Sequence, residues 1–150
     1  MSTMHPLDDG AARAVTLRID SRLDHVELLA RVVRALCATA GVPVRTCAHV
    51  ELAVVEAVNN VIRHAYVHEP GHVVEVVFTV EHGQFTIEVG DEGRPMPERP
   101  APVLDFDPGD LAAVPEGGMG LYIIHSVMDR VEYHRRGARN SLVMTRRLAA

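Results

Sequence analysis

The chain contains no lysine, and all fifteen of its basic residues are arginine. A Walker-type phosphate-binding loop needs a lysine beside the phosphates, and so does a eukaryotic-type protein kinase, so both are excluded. Schiff-base catalysis through a lysine amine is excluded as well. If the chain binds a nucleotide, backbone amides, a metal ion and arginine must hold the phosphates.

Membrane segments, a basic surface and a cysteine framework are also missing. No apolar run approaches the roughly 18 residues that cross a bilayer, and residues 1–10 show no secretory signal. The net charge of −5, without a basic cluster, argues against direct binding of nucleic acid. Cys37 and Cys47 both fall in helical patterns, which predicts two buried, reduced thiols. We therefore expect a cytoplasmic protein that has no membrane partner.

Apolar periodicity predicts one domain of the α+β class. At 150 residues the chain is long enough to bury the core of a single domain. Because the strands come in consecutive pairs, we expect a mixed, mostly antiparallel sheet with the helices on one face. The predicted strands span residues 13–19, 72–81, 84–90, 130–135 and 140–147, and the predicted helices span 22–39, 44–66 and 118–129.

Proline and glycine mark the boundaries of these elements. Asp20 or Ser21 is expected to cap the first helix, and Gly41 is expected to end it. Residues 94–116 lose all periodicity and include six prolines. A loop of this length inside a compact domain is usually functional or mobile, so this segment is a candidate lid.

An acid and an amide lie one turn apart on the second predicted helix. Glu56 and Asn60 are separated by about 6 Å along the helix axis, and His64 continues the row beside an apolar stripe. An amide oxygen suits Mg²⁺, and a glutamate one turn away can serve as a general base. Asn59 and Asn60 each disfavour a helix interior by up to roughly 0.7 kcal/mol, which a bound ligand could offset. A solvated helix face with an i, i+4 hydrogen bond is the alternative.

Two glycine clusters follow along the chain. Asp91 ends a predicted strand, where its carboxylate could accept a hydrogen bond from an exocyclic amine such as that of adenine, and Gly93 would let the backbone turn beneath the ring. Gly117, Gly118 and Gly120 precede a helix, whose N-terminus favours anions. An ordinary turn and an ordinary loop are the alternatives. Together with the acid–amide pair, the clusters suggest a magnesium–nucleotide site.

Two other kinds of site are not supported by the sequence. His64, His68 and His72 are four residues apart, but Pro70-Gly71 breaks the helix between the last two, which argues against a transition-metal site. Ser126 and Ser141 show no His-Asp partner pattern of the kind that a hydrolase triad needs.

The same segments resemble a known family. Residues 51–66 (ELAVVEAVNNVIRHAY) resemble the N box of the GHKL ATPases, closest to the bacterial anti-sigma-factor serine kinases of the partner-switching type. Residues 91–93 (DEG) and 116–124 (EGGMGLYII) resemble the two glycine boxes of that branch, and residues 127–131 (VMDRV) resemble the segment after them. Over residues 13–148 the resemblance implies a single ATP-binding domain. The implied domain takes in residues 1–150, and its fold would be a Bergerat-type two-layer sandwich, with a flexible N-terminus over 1–12 and an ATP lid over 94–116.

The resemblance also implies roles for individual residues. Asn60 would bind Mg²⁺, and Glu56 would be the general base. Asp91 would contact adenine with Gly93 beside it, and Arg31 would contact a sigma factor. The final strand departs from the branch, because Arg139-Asn140-Ser141 stands where Gly-x-Thr is common. The other implied nucleotide-binding residues are His64, Ala65, Gly117, Gly118, Met119, Gly120, Leu121 and Ser141.

The function implied by the resemblance is that of an ATP-dependent serine/threonine protein kinase and anti-sigma factor. In one state it would phosphorylate a STAS-type anti-sigma-factor antagonist, and in the other it would sequester a sigma factor or another target, as a homodimer. Two further interpretations stay open. The chain could be a nucleotide-binding module that acts by sequestration alone, or it could be an ATPase or the catalytic part of a histidine kinase.

Overall fold

The computed structural model describes two ranges of the chain, residues 13–97 and 119–148, which hold five strands and three α-helices. The elements agree with the predicted ones to within a few residues, except where the second helix ends. The predicted N-terminal segment 1–12 and residues 98–116 of the predicted lid lie outside the described ranges. The elements are β1 (Arg13–Asp20), α1 (Leu23–Thr39), α2 (Val44–Asn60), a π-helical turn (Val61–Ala65), β2 (Val73–Glu81), β3 (Gln84–Asp91), α3 (Met119–Val127), β4 (Arg130–Arg136) and β5 (Arg139–Arg147).

The strands form one sheet in the order β1-β2-β3-β5-β4. Within the described ranges all four pairings are antiparallel, so the mostly antiparallel sheet is confirmed and no parallel pair joins it. β3 lies in the centre, and its last residue, Asp91, pairs with Asn140 of β5. The sheet thus brings the C-terminal end of β3 beside the N-terminal end of β5.

The core lies between one face of the sheet and the helices. Alternate residues of β2 and β3 are buried because successive strand residues point to opposite faces. Cys37 of α1 and Cys47 of α2 are both buried and free, as predicted. Burial raises the pKa of Cys37 to about 12, with a further contribution from the neighbouring Cys47, so this thiol stays protonated. None of the helices in the described ranges is long and apolar enough to span a bilayer.

The start of α1 differs from its predicted cap. Arg22 occupies the N-cap position, and its side chain binds the carboxylate of Asp24 at 3.2 Å instead of making a capping hydrogen bond. Ser21 cannot cap because its hydroxyl donates to the carbonyl of Glu69 at 2.7 Å and accepts from the amide of His72 at 3.1 Å. Asp20 accepts from the amide of Gly71 at 2.9 Å. Both side chains therefore fasten β1 to the turn before β2.

The end of α1 is as predicted. Gly41 has φ +71°, and its amide donates to the carbonyl of Ala38 at 3.1 Å. The amide of Val42 donates to the carbonyl of Cys37 at 3.0 Å, which completes a Schellman motif. Because Gly41 ends the helix in the left-handed region, the chain can reverse and start α2 after Pro43.

The helix predicted over 44–66 does not stay α-helical to its end. Regular α-helix stops at Asn60, and a π-helical turn follows, in which the amide of Tyr66 donates to the carbonyl of Val61 at 2.9 Å. Val67 and His68 then have positive φ of 51° and 61°. A π-helical turn inserts an extra residue and often marks a functional site. Here it changes the direction of the chain directly after Asn60.

Candidate nucleotide site

The acid–amide pair of α2 meets the first turn of α3. If Gly120 carried a Cβ atom, this atom would lie 2.9 Å from Oε2 of Glu56 and 3.2 Å from Oδ1 of Asn60. A side chain at position 120 would have to displace the carboxylate of Glu56 from its place beside α3. The first amides of a helix have no partner inside the helix, and they favour anions. The fold thus places a carboxylate, an amide oxygen and a helix N-terminus around one small volume.

The glycine turn after β3 touches the π-helical turn. A Cβ atom on Gly93 would lie 2.5 Å from the carbonyl oxygen of Ala65, and the amide of Arg94 donates to that same oxygen at 2.9 Å. A side chain at position 93 would therefore push the two turns apart. The extra residue of the π-helical turn brings Ala65 against Gly93 and closes one side of the site.

Asp91 lies at the bottom of the site with only 6% of its surface exposed. Its Oδ1 accepts from the side-chain amide of Asn140 at 2.8 Å and from the backbone amide of Gly93 at 2.9 Å. Burial raises the pKa of Asp91, while those two hydrogen bonds and the charges of Arg139 and Arg135 lower it. The carboxylate is thus a desolvated acceptor held by two donors.

A cavity of about 350 Å³ joins these parts. Asp91 and Asn60 both line it, so the base-contact candidate and the metal-ligand candidate share one space. Most of the other lining residues are apolar, as in many small-molecule sites. The lining residues are Ala57, Asn60, Val61, His64, Ala65, Val89, Asp91, Arg94, Pro95, Met96, Pro97, Leu121, Tyr133 and Leu142.

The first residues of the predicted lid form a fixed wall of the cavity. The amide of Met96 donates to the hydroxyl of Tyr133 on β4 at 2.8 Å, and Arg94 is bound to Ala65. Pro95 and Pro97 on either side restrict the backbone further. The wall is therefore part of the folded domain, and the remainder of the predicted lid begins after it.

Tyr66 connects the π-helical turn to both adjoining strands. Its hydroxyl donates to the carbonyl of Val73 at 2.7 Å and accepts from the amide of Glu92 at 3.0 Å. Its ring stacks on His72 with the ring centroids 4.6 Å apart. Burial is the main reason why the pKa of Tyr66 is raised, so the hydroxyl remains a donor at neutral pH. These contacts hold the segment after Asp91 in place.

The structure brings most of the sequence-predicted residues to this cavity or beside it. Glu56 and Gly120 meet beside Asn60, which lines the cavity, and Met119 opens the same helix turn. Gly117 and Gly118 lie outside the described residues. Arg31 lies elsewhere, exposed on α1 and paired with Glu27 at 3.2 Å.

The place predicted for Ser141 is wrong. Ser141 pairs with Gly90, and Asn140 pairs with Asp91, so strand alternation points Ser141 to the outer face of the sheet. The outer face there carries Arg139, which binds Glu75 at 3.0 Å. Asn140 takes the place beside Asp91 instead. The resemblance identified the strand correctly but selected the residue one position too far along.

Asn140, Tyr133 and Leu142 contribute to the site but were not predicted, and the wall at residues 94–97 comes from the predicted lid. The apolar lining residues Ala57, Val61 and Val89 were predicted only as parts of a helix or strand. Strand alternation predicts which residues of β4 and β5 face the core. It does not predict which residues of the adjacent strand lie beside them, because this depends on the register. Pairing the end of β3 with the start of β5 would have placed Asn140 beside Asp91.

The donor set fits Mg²⁺ better than a metal that needs a cage made by the protein. Within residues 13–97 and 119–148 no group of three or more His, Cys, Asp or Glu side chains could hold a metal ion. Mg²⁺ commonly takes one or two protein oxygens and completes its octahedron with waters and phosphate oxygens. Asn60, which lies against the glycine of α3, offers such an oxygen.

The sequence profile of the histidine kinase-like ATPase domain matches residues 19–146. The match covers most of the chain and includes every described part of the site. The chain belongs to this family. A histidine kinase-like ATPase domain uses ATP, which agrees with a cavity that is lined both by the buried acceptor Asp91 and by Leu121 of the first turn of α3.

Curated proteins named serine-protein kinase RsbW are similar to this histidine kinase-like ATPase domain. The serine-protein kinase RsbW of Listeria monocytogenes serovar 1/2a is 27% identical over 150 residues, which cover 97% of this chain and 90% of the relative. The serine-protein kinase RsbW of Staphylococcus aureus strain bovine RF122 / ET3-1 is 23% identical and covers 81% and 79%. The likeness thus extends over most of the length of both relatives.

Solved structures show the same fold. The RsbU and RsbW domains of Rv1364c from Mycobacterium tuberculosis match with a TM-score of 0.65 at 15% identity. That match covers 91% of this chain but only 32% of the larger protein. The SiaB–SiaC complex from Pseudomonas aeruginosa matches with a TM-score of 0.57 at 15% identity, covering 86% and 88%. Both comparisons support the two-layer α+β architecture.

Proposed function

We propose that this protein is an ATP-dependent serine/threonine protein kinase of a partner-switching module. In one state it phosphorylates an antagonist protein of the STAS type, and in the other it sequesters a sigma factor or another target. The observation that carries the proposal is the close approach of Gly120 to both Glu56 and Asn60. The relatives named serine-protein kinase RsbW support the same activity, since they align over nearly the whole chain.

ATP would lie across the cavity with its base at Asp91 and its phosphates at the start of α3. Asp91 can accept from the exocyclic amine of adenine, because the described hydrogen bonds to this carboxylate both fall on Oδ1. Gly93 lets the chain turn close to the base. We assign the phosphates to the backbone amides of Gly117, Gly118, Met119, Gly120 and Leu121, with His64 and Ala65 along the side of the cavity.

Glu56 is proposed as the general base. Its Oε2 lies against the backbone of Gly120, where the phosphates would end. From there it can take the proton of a serine or threonine hydroxyl as that oxygen attacks the terminal phosphorus. Asn60 would hold Mg²⁺, which on binding would offset the negative charge of the phosphates.

Three further elements of the proposal concern partners and location. We place the protein in the cytoplasm as a homodimer, and we assign Arg31 to the contact with the sequestered target. Arg31 is exposed, and its only described ion pair is the surface pair with Glu27, so it is free to exchange partners. These assignments rest on the resemblance to the partner-switching kinases.

Calorimetric titration with ATP, with and without Mg²⁺, is the first test. Magnesium-dependent binding is the expected result, and the absence of binding at millimolar ATP would contradict the proposal. Transfer of the labelled γ-phosphate to a purified STAS-type antagonist then separates a kinase from a module that only sequesters. Binding without any transfer would favour the sequestering module.

The substitution Glu56→Gln should reduce the rate of γ-phosphate transfer by at least about 100-fold, because general-base catalysis contributes factors of that order. ATP binding should stay close to that of the unmodified protein, since the amide keeps the size of the side chain. Glu51→Gln is the matched control, because Glu51 is on the same helix but pairs with Arg34 at the surface, 2.7 Å away. Equal transfer rates for both variants would remove Glu56 from the mechanism.

A further inference from the structure

Asn140 is the centre of a buried hydrogen-bond cluster beneath the cavity. Only 1% of its surface is exposed. Its Nδ2 donates to Oδ1 of Asp91 at 2.8 Å and to the carbonyl of Gly93 at 3.0 Å, and its Oδ1 accepts from Nη1 of Arg135 at 3.1 Å. Both hydrogens of the amide and its oxygen are thus in use.

Arg135 determines which way round the amide lies. A guanidinium can only donate, so the atom facing Arg135 must be the oxygen, and the nitrogen must face Asp91. The nitrogen then connects two parts of one turn, the carboxylate of Asp91 and the backbone of Gly93. A second backbone carbonyl, that of Arg94, lies 3.4 Å from the same nitrogen.

This arrangement leaves Asn140 without a hydrogen for a nucleotide. Any effect on the ligand must therefore pass through Asp91, whose Oδ1 is occupied by Asn140 and by the amide of Gly93. When Oδ1 is held in place, the plane of the carboxylate is fixed. The direction in which Oδ2 points is then fixed as well.

We propose that Asn140, held by Arg135, is a positioning residue that aims the carboxylate of Asp91 at a purine base carrying an exocyclic amine. The inference deepens the proposed function and rests on it. Asn140 and Arg135 together set the preference in binding affinity for adenine over purines that have an oxygen in place of that amine. Asn140 does so without touching the base.

Asn140→Ala is the first variant, tested by the binding of ATP and of inosine triphosphate, which has an oxygen where adenine has the amine. Loss of a hydrogen bond to a charged group is expected to lower the affinity for ATP by about tenfold or more. The affinity for inosine triphosphate should change much less, because it lacks the amine that Asp91 would accept from. The ATP preference should therefore shrink by about tenfold.

Asn140→Asp gives a readout that a purely structural role would not produce. The introduced carboxyl keeps the shape of the amide, but it can donate to Asp91 only when it is protonated. The ATP preference of this variant should be lost at high pH and recover as the pH falls, whereas the unmodified protein should show no such recovery. The other titratable or charged groups around Asp91 are shared by both proteins, namely Arg135, Arg139, Arg94, Glu92, Tyr66 and His64.

Two variants on the outer face complete the experiment. Thr145→Ala lies on β5 with Ser141 on the side away from the cavity, and it should leave both affinities unchanged. Ser141→Ala should do the same if the register assigns the roles correctly. A fall in ATP preference for Ser141→Ala, or an unchanged preference for Asn140→Ala, would overturn the inference.

The proposed function and the inference fail in different ways. If the unmodified protein does not bind ATP, the nucleotide site itself is refuted. If it binds ATP but the Asn140 variants keep the full preference over inosine triphosphate, only the positioning role is refuted. Should Asn140→Ala fail to fold, the pH response of the isosteric Asn140→Asp still decides the question.

Discussion

The burial of Asp91 lowers stability, and the proposed role of this residue depends on the same burial. A carboxylate that is 6% exposed loses most of its hydration, and burial raises its pKa in spite of the donors around it. A desolvated charge held in this way disfavours the folded state at neutral pH. The same desolvation strengthens any hydrogen bond that it makes with a ligand. The site thus keeps a group that a core built only for stability would replace.

Asp91→Asn should increase stability and abolish ATP binding. The amide can still accept through Oδ1 from Asn140 and Gly93, which forces its nitrogen toward the cavity and places two donors face to face with adenine. Because burial raises the folded-state pKa, the folded protein binds more protons than the unfolded chain from about pH 4 up to that raised value. The stability contributed by Asp91 falls as the pH rises through this window and is constant above it.

Urea unfolding across the pH range checks this prediction. The stability advantage of Asp91→Asn should grow through the window and then level off. Asp24→Asn is the control, since Asp24 is exposed on α1, and its effect should stay within about 0.5 kcal/mol. A variant of Asp91 that is less stable than the unmodified protein at neutral pH would contradict the argument.

At the level of elements, two glycines are required for different reasons. Gly120 allows α3 to pack closely on α2, whereas Gly137 allows the backbone to turn. Gly120 lies in a helix without a positive φ, so alanine there should favour helix by up to about 1 kcal/mol. Its Cβ would, however, lie 2.9 Å from Oε2 of Glu56. Gly137 has φ +58° in the β4–β5 turn with open space around it.

The two substitutions should therefore have opposite effects. Gly120→Ala is expected to abolish phosphoryl transfer while leaving the free energy of unfolding unchanged or slightly higher. Gly137→Ala is expected to lower that free energy by about 1–2 kcal/mol, because a non-glycine residue is strained at positive φ, and to leave ATP binding intact. Thermal unfolding and ATP titration of both proteins provide the comparison. Loss of stability in Gly120→Ala without loss of transfer would contradict the packing argument.

Elements that repeat a local pattern were predictable from the sequence. β2 and β3 alternate buried and exposed residues, and α1 ends at Gly41 where a left-handed residue was expected. The π-helical turn was not predictable, because the apolar stripe of α2 continues through Val61 and Ile62 without interruption. The apolar periodicity of a segment indicates which face is buried, but it does not indicate where one extra backbone residue is inserted into a helix.

Where one segment supplies the predicted site residues, the sequence was enough to place them near one another. The row from Glu56 to Asn60 needs only helix periodicity, and Asp91 with Gly93 needs only a turn after a strand. Asn140 needs the register between β3 and β5, which are separated by more than forty residues of sequence. Long-range pairing of this kind is decided by the whole sheet, so the assignment of Ser141 from a short motif was one residue out.

At the scale of the whole molecule, the cavity joins parts of the chain that are far apart in sequence. Asn60 comes from α2, Asp91 from β3 and Leu121 from α3, and all three line the cavity. A ligand that spans this space would add contacts between the helical layer and the sheet. Binding should therefore stabilise the domain as a unit and not only one loop.

Mg²⁺–ATP at about 100 times its dissociation constant should stabilise the folded protein by about 2.7 kcal/mol, provided that the unfolded chain does not bind it. For a domain of this length, that corresponds to a rise in Tm of about 5–10 °C. Glu56→Gln should keep this rise because the base acts in transfer, whereas Asp91→Asn should lose it because the contact with adenine is gone. An equal rise in Asp91→Asn would mean that the phosphates alone hold the nucleotide. The contact between Asp91 and adenine would then not contribute to the stabilisation of the domain by the nucleotide.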